Sequence, residues 1–208
     1  MKQSIFLLLT VLLLGSLVTG CGPSSKMTGS WVDKSYTGGA VRGEVLVVGV
    51  ARNQTHRHIF EDSLVNNLRA RGVDAVASYT IAPEEIQGNE AAIREVVKKS
   101  GASAVLVTHV IGSEERSRYF PAMGATLVDY GYYGGLYSYY PQVFHFVYMP
   151  AQNTSTETVT LESSLYDTAD GHLIWIGRAN ATNPEMTKKF YISLTRQVVA
   201  EMRKNKVL

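Results

Sequence analysis

The chain has 208 residues, a formal net charge of +2 and hydrophobic residues at 45% of its positions. With 20 basic against 18 acidic side chains, it lacks the basic excess that a nucleic-acid-binding surface requires. A single cysteine excludes a disulfide framework within the chain, and the length fits one domain with a core that needs no such staples.

Met1-Lys2-Gln3-Ser4 is a short charged start, Ile5 to Leu14 an apolar run interrupted only by Thr10, and Gly15 to Gly20 a stretch rich in small residues. That is the layout of a secretory signal peptide over residues 1–20. The run is too short for an uncleaved membrane span, which needs about 20 apolar residues. Val18-Thr19-Gly20-Cys21 resembles the lipobox of bacterial lipoproteins. The resemblance implies that Cys21 takes a diacylglyceryl thioether, that the chain is cut before it, and that the new N-terminus is acylated with a fatty acid such as palmitate. Two or three acyl chains hold a protein to a bilayer where one holds weakly, since each buried CH₂ contributes about 0.8 kcal/mol. Gly22 stands where an aspartate would favour inner-membrane retention in enterobacteria-like sorting. The resemblance therefore implies the periplasmic side of the outer membrane, with the inner membrane or the cell surface as alternatives.

Residues 21–42 read as the lipidated cysteine and a tether. Gly22 to Ser30 is rich in Gly, Pro and Ser and reads as flexible chain reaching at most about 30 Å. Trp31 is expected to dock on the domain as part of a short edge strand, and Lys34 to Arg42 reads as a loop. A single α/β domain is expected over residues 43–208. Glu44 to Ala51 is a valine-rich run that predicts a strand buried on both faces. Thr55 to Arg71 carries Ile59, Phe60, Leu64 and Leu68 at helical spacing, with Gly72 as its stop. Asp74 to Tyr79 predicts a second strand, Pro83-Glu84-Glu85 a helical turn, and Asn89 the cap of a helix that ends at Gly101. Ala104 to Val110 predicts a third strand.

The second half changes character. Gln142 to Tyr148 and Glu157 to Tyr166 read as strands. Asp170-Gly171 is turn chemistry, and Leu173 to Gly177 returns as the other arm of a hairpin. Asn183 and Pro184 are expected to open a last helix with Phe190, Leu194, Val198 and Met202 as its apolar stripe. The order β-α-β-α-β followed by β-β-β-α predicts an α/β fold with a single mixed β-sheet and helices packed on it.

Val45 to Ala51, Arg57 to Asp62, Ala75 to Tyr79, Gly101 to Thr108, Leu165-Tyr166-Asp167 and Gly171 to Trp175 together resemble a family of small, functionally uncharacterised bacterial lipoproteins. The element order is also similar to the N-terminal domain of the Tol-system protein TolB and to curli-secretion and penicillin-binding-protein-activator lipoproteins. Those relatives bind or assemble with other envelope proteins, so the resemblance implies a non-catalytic adaptor or assembly component.

The insert at 119–141 departs from that pattern. Tyr130, Tyr132, Tyr133, Tyr137, Tyr139 and Tyr140 are six of the twelve tyrosines, and glycines surround them. Tyrosine supplies contact area at low entropic cost, so the insert is the candidate binding surface. An envelope protein is the expected partner, and a glycan or small molecule the alternative. Arg57 and Glu61 stand four apart, can pair on a helix face, and are weaker candidates. His56 and His58 would diverge on a helix, and His109, His145 and His172 are isolated, so no metal site and no cofactor is expected. No Gly-x-Ser-x-Gly, Walker or Gly-x-Gly-x-x-Gly pattern occurs, and no enzyme activity is expected. An enzyme would need Arg57, Glu162 and a histidine gathered in a deep pocket. Glu162 itself reads as a mid-strand surface residue; buried, it would mark a functional site through a raised pKa.

Overall fold

The computed structural model describes residues 25–82, 86, 88–115, 135–148, 157–182, 184 and 186–208. Residues 1–20, Cys21, the turn at Pro83, Asn183, Tyr130, Tyr132 and Tyr133 lie outside them. In chain order the elements are β1 (Ser25–Val32), β2 (Val45–Val50), α1 (Gln54–Arg69), β3 (Ala75–Ala77), α2 (Ser78–Ile81), α3 (Glu90–Ser100), β4 (Ala104–Glu115), α4 (Leu136–Tyr148), β5 (Glu157–Asp167), β6 (Leu173–Thr182) and α5 (Lys188–Lys204).

The six strands form one mixed sheet in the order β1-β6-β5-β4-β2-β3. β2 runs parallel to β3 and to β4, and the other neighbours are antiparallel. Every position of β2 is buried, as a valine-rich strand covered on both faces should be. One face carries α1 and α5 over a core that includes Val45, Val47, Leu64, Leu106, Trp175 and Met202. The opposite face carries α3 and α4 over Leu46, Val48, Ile93, Val105, Leu136 and Tyr166. The caps follow local chemistry. The Asn53 side chain accepts from His56 N at the start of α1, and Asn89 does the same for Ala92 N at the start of α3. Gly101 closes α3 at φ 67°, a left-handed value that costs glycine little. Among the described residues no helix is long and apolar enough to cross a membrane.

Several sequence expectations are corrected. β1 begins at Ser25 and pairs with β6 from Ser25↔Ala181 to Val32↔Trp175, so most of the supposed tether is strand. Trp31 lies in that edge strand as expected, but its side chain stays 42% exposed. Partners across a ladder share a face, and Trp31 stands opposite Ile176, on the face that α5 does not cover. Met27 and Val32 pack against the core in its place. Gln142 to Tyr148 is not a strand but the C-terminal part of α4, with Pro141 inside the helix. Leu136, Tyr139, Tyr140 and Val143 are all buried at spacings of three and four, which is helical periodicity. The start of α4 is pinned to the β5–β6 turn, where Leu136 N donates to Gly171 O at 3.0 Å. Gly135 lies at φ 74°, and a Cβ there would meet Gly171 O at 2.8 Å. The last helix starts at Lys188, capped by the Thr187 hydroxyl, and Pro184 lies outside it. β4 and β6 extend past their expected ends, to Glu115 and Thr182.

Candidate functional site

Two buried polar groups flank the sheet. The first grows from α1. Arg57 and Glu61 stand one turn apart, as the sequence spacing suggests, but on the side that packs down: they are 3% and 0% exposed. Arg57 Nε donates to Glu61 Oε1 at 2.9 Å, and its two terminal amino groups reach Gln54 Oε1 and Ser78 Oγ. Glu61 Oε1 also accepts from Gly49 N at 2.9 Å and from Ser78 Oγ at 2.8 Å, while Oε2 accepts from Tyr79 N at 3.1 Å. The pair thus ties α1 to the end of β2 and to the junction of β3 with α2. Gly49 allows that approach, because a Cβ there would lie 3.3 Å from Phe60 and 3.4 Å from Glu61. Beside the pair a cleft lined by Gly49, Ala51, Arg57, Ile86, Tyr140 and Phe144 has a volume of about 10 Å³, room for one water molecule.

The second group is centred on Glu162 in β5, which is 1% exposed. Its cross-strand partners are His109 in β4 and Arg178 in β6, so the register alone places three titratable side chains in a row. Arg178 Nε donates to Glu162 Oε2 at 2.7 Å. From α4, the Tyr139 hydroxyl donates to Glu162 Oε1 at 3.1 Å. With its one proton committed there, the phenol oxygen is left to accept from His109 Nδ1 and Ser164 Oγ, at 3.4 and 3.5 Å. Burial pushes the Glu162 carboxyl above the usual range, with the Arg178 guanidinium pulling the other way. Burial also holds the His109 imidazole down at about 3, to which the Arg178 charge adds, and it raises the Tyr139 phenol. Removing charges from water is costly unless they are paired and hydrogen-bonded, and each group here has such a partner. Chemically, the row keeps His109 neutral and aims Arg178. The guanidinium is held through Nε, and the Arg178 side chain is 37% exposed.

The expected site residues fall in different places. Tyr139 and Tyr140 are each 2% exposed and belong to the core, not to a contact surface. Helix α4 turns them onto the sheet, and their hydroxyls reach Glu162 and Ile86 O. Tyr137 is half-buried, and the Arg94 guanidinium lies 3.6 Å above its ring. The expected surface is therefore left with Tyr130, Tyr132 and Tyr133, outside the described residues. Glu162 is not a surface residue, and His109 joins it through Tyr139, whereas Arg57 belongs to the separate group on α1. His172 sits 2.7 Å from Asp33 and stacks on Tyr36. His58 stacks on Tyr79. Among the described residues no cluster of three or more His, Cys, Asp or Glu side chains could hold a metal ion. Sequence reasoning missed Ser78 and Gly49 as partners of Glu61, and Arg178 as partner of Glu162. The available signal for the latter was strand alternation: Glu162 and Ser164 point away from Leu161, Ser163 and Leu165.

No family model matches the chain, and no curated protein matches it. Among solved structures, the PelC dodecamer from Paraburkholderia phytofirmans is similar at 15% identity, over 85% of this chain and 95% of that one, with a TM-score of 0.43. The lipoprotein GNA1162 from Neisseria meningitidis is similar at 13% identity, over 78% of this chain and 99% of that one, with a TM-score of 0.38.

Proposed function

We propose that the chain is a non-catalytic, lipid-anchored component of the bacterial envelope, held by Cys21 at the periplasmic side of the outer membrane, where it acts as an adaptor for another envelope protein. The observation that carries this reading is the place of β1. The first strand after the lipobox cysteine is an edge strand of the sheet, and residues 28–31 lie exposed along it. An open edge offers a row of backbone donors and acceptors to an added strand.

The test is photo-cross-linking in cells from Thr28 on the edge strand and from Tyr132 in the insert, in the native chain and in Cys21→Ser. Capture of an envelope protein from at least one position is expected, together with its loss in Cys21→Ser, which should fold normally yet leave the membrane fraction. The same capture from the unanchored variant, or none from either position, sinks the adaptor reading. A Cys21→Ser protein that stayed in the membrane fraction would sink the anchor.

A further inference from the structure

The anchor proposed above limits how the domain can lie. Only Gly22, Pro23 and Ser24 separate Cys21 from the first residue of β1, a reach of at most about 14 Å. The sheet therefore starts at the membrane surface. Among the described residues no helix covers one half of one sheet face there: α4 packs on β4 and β2, while β1 and β6 on that side carry the exposed Trp31, the exposed Lys26 and the partly exposed Arg178.

These three residues share a face because of a bulge. Lys26 and Trp31 are five apart, so a regular strand would send them to opposite sides. The register shifts between Met27 and Gly29, which leaves Lys26 opposite Asn180, Gly29 opposite Arg178 and Trp31 opposite Ile176. One extra residue thus restores the two ends of β1 to a common face. The opposite face of β1 is occupied by α5, where Ser30 Oγ donates to Glu201 and Gln197 reaches Ser25. On the open face the acidic member, Glu162, is buried and already held by Arg178. Lys26, the partly exposed guanidinium of Arg178 with its charge paired to Glu162, and one indole remain presented together. Basic side chains are drawn to anionic headgroups, and tryptophan settles where apolar chain meets water.

We propose that this half-face, through Lys26, Trp31 and Arg178, lies on the anionic phospholipid surface to which Cys21 is tethered. The three side chains are contact points on one plane, so they fix the domain's orientation as well as its position. The edge of β1 is then left open sideways, along the membrane.

The experiment uses the purified full-length lipidated protein in vesicles of phosphatidylglycerol and phosphatidylcholine, with bromine-labelled lipid as quencher. Trp175 is fully buried and serves as the internal reference. Quenching of Trp31 is expected in phosphatidylglycerol vesicles. It should fall several-fold in pure phosphatidylcholine, in high salt and in Lys26→Glu, and it should vanish in Trp31→Phe. Lys26 is exposed, so its replacement tests charge without disturbing the core. Trp31 emission indifferent to brominated lipid, in protein that floats with the vesicles, overturns the proposal and leaves the anchor standing. Protein that does not float overturns the anchor, and the proposal with it. Emission that shifts to the blue with rising protein density but is not quenched puts a second copy on this face and overturns the proposal as well.

Discussion

Glu61→Ala is expected to destabilise the protein by about 3–5 kcal/mol, the cost of leaving one member of a buried ion pair alone. Removing the carboxylate strands the Arg57 guanidinium, the Ser78 hydroxyl and the backbone N–H groups of Gly49 and Tyr79, all of which donate to it now. The double variant Arg57→Met/Glu61→Leu should recover much of the loss, because it removes the charges and the desolvation cost together. Chemical denaturation of the three proteins measures this. A surface pair at the same spacing would be worth only about 0.2–0.5 kcal/mol. A loss of that size in Glu61→Ala would refute the buried network.

Acidification should weaken the protein through His109. Burial holds its imidazole down at about 3 in the folded protein, below the ordinary histidine value of 6.5. As pH falls through the upper value the unfolded chain binds a proton that the folded protein refuses. The stability that the neutral imidazole contributes is therefore complete above about pH 6.5 and is lost progressively down to about pH 3. Glu162 has the opposite sign. Its carboxyl is raised, so the unfolded chain gives up its proton first as pH rises, and stability is lost upward from the ordinary value. The two oppose each other over part of the range, and the contribution of His109 is read as a difference. Between pH 7 and pH 5 the native chain should lose about 2 kcal/mol more than His109→Gln, one proton at about 1.4 kcal/mol per pH unit. Glu162→Gln should move the same comparison the other way. Parallel profiles for the native chain and His109→Gln would mean that His109 is hydrated and not enclosed beneath Tyr139.

Much of the fold was legible because local chemistry and tertiary demand agree in those segments. The valine runs of β2 and β4 can only be buried strands, and Asn89 and Gly101 bracket α3 with a cap at each end. Legibility failed at α4. Pro141 and the aromatic run after it read as a strand boundary and a strand, yet the residues that must meet the sheet sit at helical spacing. It failed also at β1, where a polar, glycine-containing sequence is strand only because β6 supplies a partner ladder.

The candidate site divides along the same line. By itself the sequence determined a mixed α/β sheet and the i,i+4 spacing of Arg57 and Glu61, and it offers Cys21 as the point of attachment. These are properties of neighbours along the chain. Only the tertiary structure decided that the Arg57–Glu61 pair faces inward, that Glu162 is buried between His109 and Arg178, that Tyr139 belongs to the core, and that Trp31 is left outside. Each of those outcomes depends on register and on which helix covers which face. A one-residue bulge or a single turn of helix reverses such an outcome, and neither is written in the residues that feel the consequence.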